Sequence, residues 1–388
     1  MTDFAFDIDY YQVCKNGKHV CGDSFMTSRS ADGRIIAVLS DGLGSGVKAN
    51  ILSTMTAKMA LKFVDANWDV KKYCEVISSV LPICKERGLN YSTFTILDLS
   101  PDGQVQIFEQ GNPSFLFVRG GRIIEPEARK SVEEYHGLSI TTTSLSLLRE
   151  DRIVFFSDGI SQAGTGTPDY PNGWGREGAA ALALKVINRN PQVSSLKICE
   201  TIIREARIKD GPINPKDDIT CAAVYLRTPR RVMIFSGPPF NKSLDGKYAK
   251  QLAAFEGQKV ICGGTTAKIV ARELGLEVRP DLNSSSRFGP PTSLLDGIDL
   301  VTEGVLTLSQ TLAALQNHKA PQSESGAYKL YYTLLENDYI DIVAGTRIND
   351  AYQDPDFPNQ FVLRRSVLEG IARALREKYF KDVRVKLV

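Results

Sequence analysis

The sequence predicts an α+β protein in two parts: a β-rich first part with flanking helices, and a smaller α/β part with a mainly parallel sheet. Three observations carry this. The 388 residues exceed one ordinary domain and suit two, at about 100–200 residues each. Up to residue 226, short apolar runs are punctuated by Asp-Gly, Pro-Asp-Gly and Gly-Gly turns. From residue 229 onward strands and helices alternate, the pattern of βαβ units. Thr228-Pro229-Arg230-Arg231 marks the change, so the expected domains are 1–228 and 229–388.

In chain order, Arg34–Leu39 is an apolar run between Asp32-Gly33 and Asp41-Gly42 and reads as a buried strand. Val47, Ile51, Met55, Met59 and Phe63 recur every four residues, which predicts a helix with these side chains in the core. Phe94–Leu97 and Val105–Phe108 flank Pro101-Asp102-Gly103 as a hairpin, and Phe115–Val118 with Ile123–Ile124 repeats the device around Gly120-Gly121. Arg152–Phe156 is a further buried strand, followed by a Gly- and Pro-rich loop at 161–177 of a length usually tied to function. Helices are expected from about Glu177 to Asn188 and over Ser195–Ile208, and a last strand over Ile219–Leu226. Beyond the boundary, the expected order is strand Val232–Phe235, helix Lys247–Phe255, strand Lys259–Ile261 and helix Thr265–Leu274. Strand Ile298–Val301, helices Leu306–Gln316 and Ala327–Leu335, strand Tyr339–Val343, helix Val362–Glu377 and strand Val383–Leu387 follow. Pro280–Pro291 is the one linker-like stretch of this half.

Composition excludes several classes. With 43% hydrophobic and 24% charged residues, the chain has the make-up of a globular protein with real cores. A formal charge of +2, with 21 basic and 18 acidic residues after 228, gives neither half a field for nucleic acid. No apolar run approaches the roughly 18–20 residues of a membrane helix. The seven cysteines are an odd number without a C-x-x-C pair, and no secretory leader opens Met1-Thr2-Asp3-Phe4. A reducing cytoplasm is the expected compartment.

The chemistry-bearing signal is the position of the aspartates. Asp41-Gly42-Leu43-Gly44-Ser45-Gly46 follows a buried strand and opens a helix, and Asp158-Gly159 ends another strand. Asp217-Asp218 precedes a third strand, and Gly22-Asp23 sits in an earlier turn. Carboxylates at buried strand ends are costly unless paired or bound to a cation. Oxygen-only ligands suit Mg²⁺ or Mn²⁺, and the absence of clustered histidines argues against zinc. Each Asp-Gly alone is an ordinary turn dipeptide. The order of all of them is what points to a metal site.

That order, Gly22-Asp23, Ser40-Asp41-Gly42-Leu43-Gly44-x-Gly46, Gln110-Gly111-Asn112-Pro113, Phe156-Ser157-Asp158-Gly159 and Asp217-Asp218-Ile219-Thr220, resembles the PP2C-type phosphatases. Their bacterial stage II sporulation protein E branch is the most similar, over roughly residues 1–228. The resemblance implies an α/β/β/α sandwich with metals at one edge of two antiparallel sheets. It implies a serine/threonine protein phosphatase that uses two Mn²⁺ or Mg²⁺ ions and a phosphorylated protein substrate, often an anti-anti-sigma-like regulator. By the same resemblance Asp41 bridges the metals, the Gly42 carbonyl joins one of them, Asp158 and Asp217 hold the second, and Asp23 supports the first. Asp218 falls one shell further out. Asp41 and Asp158 are thus the central catalytic carboxylates. Two departures stand out. Leu43 occupies the place where many eukaryotic members carry His, and no clear phosphate-binding Arg is found near the N-terminus, where Lys15, Lys18 and Arg29 are the basic residues at hand. Asn112 reads as a turn residue, and His19, His136 and His318 as isolated structural histidines.

No family resemblance covers 229–388. Ile261-Cys262-Gly263-Gly264-Thr265-Thr266 follows a strand and starts a helix, where an anion could sit, but it lacks a P-loop lysine, and Thr265 also reads as a plain N-cap. Ser236-Gly237-Pro238-Pro239 and Ala344–Asn349 also follow strands, and Arg347 would suit an anionic ligand. These residues make Gly263, Gly264, Thr265 and Arg347 an expected anion site in a regulatory domain whose ligand is a small molecule or a protein. Two rival readings are a pseudophosphatase that only binds partners and a hydrolase of small phosphomonoesters.

Overall fold

Residues 4–66, 76, 83–84, 89–90, 92–126, 130–135, 138–211, 215–281, 284, 290–347 and 360–388 are described by the computed structural model. They divide into two units, Met1–Thr228 and Pro229–Val388. His136, residues 348–349 and most of 280–291 lie outside the described residues.

The first unit contains β1 (Ala5–Val13), β2 (Ser24–Arg29), β3 (Ile35–Gly42), α1 (Val47–Asp65), β4 (Ile83–Cys84), β5 (Leu89–Asn90), β6 (Ser92–Leu99) and β7 (Gln104–Gln110). It continues with β8 (Leu116–Arg119), β9 (Arg122–Ile123), β10 (Lys130–Tyr135), β11 (Leu138–Ser146), β12 (Arg152–Phe156), α2 (Asp158–Ser161), α3 (Gly175–Arg189), α4 (Ser195–Asp210) and β13 (Ile219–Arg227). One sheet has the order β1-β13-β12-β8-β9, the other β10-β11-β7-β6-β3-β2. Both are antiparallel throughout.

Period-two alternation explains the layering. Ile36, Val38, Phe94, Ile96 and Phe108 form one cluster with Ala57 and Ala60 of α1. Val154, Phe156, Cys221 and Ala223 pack with Ile198, Ile202 and Ala183 of α3 and α4. The intervening side chains meet between the sheets, as Phe25 does with Phe155 at 6.3 Å. Both faces of β3, β12 and β13 are therefore covered, which is why these strands read as unbroken apolar runs. Each fully buried Ile, Leu or Phe contributes about 1.5–3 kcal/mol.

The expected stripe on α1 is corrected at three positions. Val47, Ile51 and Met55 are 63%, 52% and 41% exposed, and the buried face consists of Ala49, Ser53, Thr56, Ala57 and Ala60. Small residues let the helix lie close on the sheet, so the larger side chains stand to either side. Met59 and Phe63 do pack on the core cluster. Strands β1, β2, β10 and β11 mix polar and apolar residues and so form no unbroken apolar run in the sequence. The glycine- and proline-rich loop is shorter than 161–177, because α2 takes up 158–161 and α3 starts at Gly175. The expectation of reduced cysteines is also revised: Cys14 and Cys21 form a disulfide, while Cys199, Cys221 and Cys262 are free and buried.

The second unit contains β14 (Arg231–Ser236), α5 (Asp245–Ala253), β15 (Gln258–Cys262), α6 (Gly264–Leu274), β16 (Arg279–Pro280), β17 (Ser293–Leu295) and β18 (Ile298–Thr302). Then come α7 (Val305–Asn317), α8 (Gly326–Glu336), β19 (Tyr339–Ala344), α9 (Gln360–Tyr379) and β20 (Asp382–Leu387). The sheet order is β16-β17-β18-β15-β14-β19-β20. From β18 to β20 the strands are parallel, and β16 and β17 form an antiparallel edge. His318 stacks on Tyr379 and hydrogen-bonds its hydroxyl; burial lowers its pKa to about 4, as befits a neutral structural imidazole. No helix among the described residues is long and apolar enough to cross a membrane.

Candidate metal centre

Within the first unit, four of the predicted carboxylates interact electrostatically across one end of the facing sheets. Asp41 is the next-to-last residue of β3, Asp158 opens α2 directly after β12, Asp217 precedes β13, and Asp23 precedes β2. Asp41 is pushed well above the usual carboxylate range, first by burial and then by Asp23, Asp158 and Asp217. Asp217 is raised too, again chiefly by burial, with Asp158 and Asp218 adding to it and Lys15 opposing it.

Asp23 is the most enclosed, at 2% exposure. Its Oδ2 accepts from Ser157 Oγ and Thr220 Oγ1, each at 2.7 Å, while the buried Oδ1 has no hydrogen-bond partner among the described residues. Burial raises its pKa to about 7, against the pull of the two hydroxyls. A buried carboxylate oxygen without a donor is costly. It is the feature that a cation would satisfy.

Asp218 plays a different part. Its Oδ1 accepts from Lys15 N at 2.8 Å and its Oδ2 from Gly22 N at 2.9 Å. The carboxylate is thus committed to backbone, and it holds the turn that leads into Asp23. Two glycines have no room for a side chain: a Cβ at Gly42 would stand 2.2 Å from Ala49 O, and one at Gly159 2.2 Å from Asp218 O. Gly159→Ala should therefore lower stability by about 1–3 kcal/mol, the usual range for overpacking, measured by denaturant melts.

No three of the four aspartates offer oxygens within 4.8 Å of one another; among the described residues only Cys14, Cys21 and Asp218 form such a set.

Several neighbouring residues had no role assigned from the sequence: Ser157 and Thr220 lie inside the quoted motifs, and Gln12 and Asp210 lie outside them. Ser157 and Thr220 anchor Asp23, and Gln12 Nε2 donates to both Thr220 Oγ1 and the Asp23 carbonyl. Asp210 accepts from Gly164 N and Lys216 N, tying the segment after Asp158 to the segment before Asp217. Of the basic candidates, Lys15 Nζ lies 3.9 Å from Asp217 Oδ1, and Lys18 and Arg29 are exposed. Asn112 is held by Thr93 and Thr95 and keeps its structural reading.

In the second unit, the turns after β14, β15 and β19 lie at the carboxyl edge of one parallel sheet. The strand order reverses between β14 and β19. Thr265 is not the N-cap: α6 begins at Gly264, and Gly263 caps it with φ 131° and no side-chain bond. A residue with that backbone conformation favours glycine. Arg347 Nη1 lies 3.8 Å from Asp245 Oδ1, so its charge already faces a carboxylate, which Arg272 also binds.

Two antiparallel sheets between helices, with acidic residues gathered at one end, define the PP2C-type sandwich. The Stage II sporulation protein E (SpoIIE) family profile matches residues 31–227, just over half of the sequence, and the chain belongs to that family. It is 25% identical over 217 residues to Stage II sporulation protein E of Bacillus subtilis, a match covering 55% of this chain and 25% of that protein. It is 23% identical over 235 residues to the Priestia megaterium protein, covering 58% and 38%. The chain thus spans well under half the length of these relatives. The solved PP2C phosphatase domain with a regulatory fragment of SpoIIE from Bacillus subtilis aligns with a TM-score of 0.46 and 20% identity, covering 58% of this chain and 62% of that one.

Proposed function

We propose that residues 1–228 are a divalent-cation-dependent phosphatase that removes phosphate from phosphoserine or phosphothreonine on a partner regulatory protein. The single observation that carries this is the Oδ1 of Asp23, buried without a hydrogen-bond partner among the described residues, in the group where burial and neighbouring carboxylates push Asp41 upward. Asp41, Asp158 and Asp217, with the Gly42 carbonyl and Asp23, would hold two Mn²⁺ or Mg²⁺ ions. Bound cations of this kind neutralise phosphoryl charge and acidify water for in-line attack. The protein's own share is positioning. Ser157 and Thr220 fix Asp23, Asp218 fixes the turn before it, and Asp210 fixes the two segments that present Asp158 and Asp217. The cytoplasm is the compartment we assign.

Turnover of a phosphoprotein that requires Mn²⁺ and is lost on chelation tests the reading. Turnover of para-nitrophenyl phosphate without phosphoprotein turnover would favour a small-molecule hydrolase, and Mn²⁺ binding without either turnover a pseudophosphatase. Asp158→Asn and Asp217→Asn should each lower kcat by at least about a hundredfold. Asp218→Asn should be milder, about tenfold, as expected of an outer-shell partner; a larger loss than for Asp217→Asn would exchange the two roles.

Residues 229–388 we assign to regulation, with a small-molecule or protein ligand at the carboxyl edge near Gly263, Gly264, Thr265 and Arg347. Open α/β sheets bind ligands at such an edge, where strand order reverses. A ligand of this unit should change Mn²⁺ affinity, and Mn²⁺ should change that ligand's affinity by the same factor. If a chain truncated after Thr228 matches the full chain in turnover and Mn²⁺ requirement, the regulatory assignment fails.

A further inference from the structure

Cys14 and Cys21 close an eight-residue loop that is bonded on one side to residues 215–218. Asn16 N donates to Pro215 O at 2.9 Å. Lys15 N and Gly22 N, each directly after a bridged cysteine, donate to the two oxygens of Asp218. Lys15 Nζ reaches Asp217. The Sγ atoms and an Asp218 oxygen lie within 4.8 Å of one another. On its other side the loop's end is held by α1, through Asn50 Nδ2 to Cys21 O and Ser53 Oγ to Gly22 O. The next residue is Asp23. The disulfide therefore closes the loop whose backbone bonds tie the lead into one proposed cation ligand, Asp217, to the lead into another, Asp23.

The bridge is reachable. Residues 16–20 are exposed and Cys14 is partly exposed, whereas Cys21 is buried at 7%. Exposed disulfides are the labile and regulatory ones. We propose that Cys14–Cys21 is a thiol–disulfide exchange site for a dithiol reductant, and that its state sets the cation affinity of the aspartate centre; the second clause rests on the metal-centre reading above. A thiolate of the dithiol attacks Cys14 Sγ, forming a mixed disulfide and releasing Cys21 as thiolate. The second thiol of the reductant then attacks its own sulfur in the mixed disulfide and releases Cys14. Two electrons and two protons pass to the protein pair, and the reductant leaves as its disulfide. Opening the bridge frees loop 15–20, so the two N–H groups are no longer held on Asp218 and the approach to Asp23 loosens. In a reducing compartment the pair would rest open, and closure would report oxidising conditions.

The test uses the full chain, oxidised and then treated with dithiothreitol without denaturant. Differential alkylation with peptide mapping should show both Cys14 and Cys21 changing from blocked to labelled. Mn²⁺ titration followed by electron paramagnetic resonance should show roughly tenfold weaker binding after reduction, the low end of the loss seen when outer-shell partners are removed. Reoxidation should restore it. The Cys14→Ser/Cys21→Ser variant should bind Mn²⁺ like the reduced protein and ignore the dithiol. Equal affinity in both states, cysteines that stay blocked, or a variant that still responds to dithiol would each overturn the inference. Absence of Mn²⁺ binding in both states would instead remove the metal centre, and this inference with it.

Discussion

Asp41→Ala should abolish Mn²⁺-dependent turnover while leaving a folded protein. Asp41 is raised first by burial and then by Asp23, Asp158 and Asp217. Removing it takes away a shared ligand and also relieves repulsion among the charges that remain. A loss of at least about a thousandfold in kcat corresponds to roughly 4 kcal/mol of transition-state stabilisation. Thermal melting without added cation should stay level or rise, because an unpaired buried charge is itself destabilising. Wild-type Mn²⁺-dependent activity in this variant would end the two-cation reading. A collapsed far-UV circular dichroism spectrum would show that Asp41 serves the fold.

Cation-free protein should lose stability as pH rises from about 4 to about 7, and Mn²⁺ binding should strengthen over the upper part of that range. The sign follows from Asp23, whose pKa is raised by burial to about 7 in the folded state, against about 4 for an unfolded chain. Between those values the folded protein keeps a proton that the unfolded chain has released. Stability therefore falls with rising pH until the folded group has also ionised. At about 1.4 kcal/mol per pKa unit the effect is a few kcal/mol, and the raised pKa of Asp41 acts in the same direction. A cation must displace the proton, so its dissociation constant should drop as pH passes through about 7. Asp23→Asn should flatten much of the stability slope. A wild-type melting temperature that rises steadily from pH 4 to 7 would contradict the burial of Asp23.

Local pattern was enough for the elements whose side chains are apolar throughout. β3, β12, β13 and β14 are buried along nearly their whole length, so solvent exclusion alone writes them into the sequence as runs. The spacing of Asp-Gly turns after such runs likewise brought Asp41 and Asp158 forward as chemistry. Edge and one-sided strands escaped. β1 and β2 carry polar residues on a face that only the folded sheet identifies. α1 misled for a related reason: its apolar period is real, but close packing chose Ala49, Ala57 and Ala60 for the sheet and left Val47, Ile51 and Met55 outside.

By itself the sequence determined an α+β chain with a boundary near Thr228, an ordered set of aspartates at strand ends, and membership in a phosphatase-like family. Only the tertiary structure decided what each aspartate does. It left one oxygen of Asp23 buried without a donor, turned Asp218 away onto the backbone of Lys15 and Gly22, and placed Asp210 as the tie between two ligand-bearing segments. It also brought Cys14 and Cys21 together. The physical reason is range. Apolar periodicity and turn chemistry act over a few neighbouring residues, whereas the bonds that assign these roles join positions as much as 203 residues apart, and exist only once the two sheets have met.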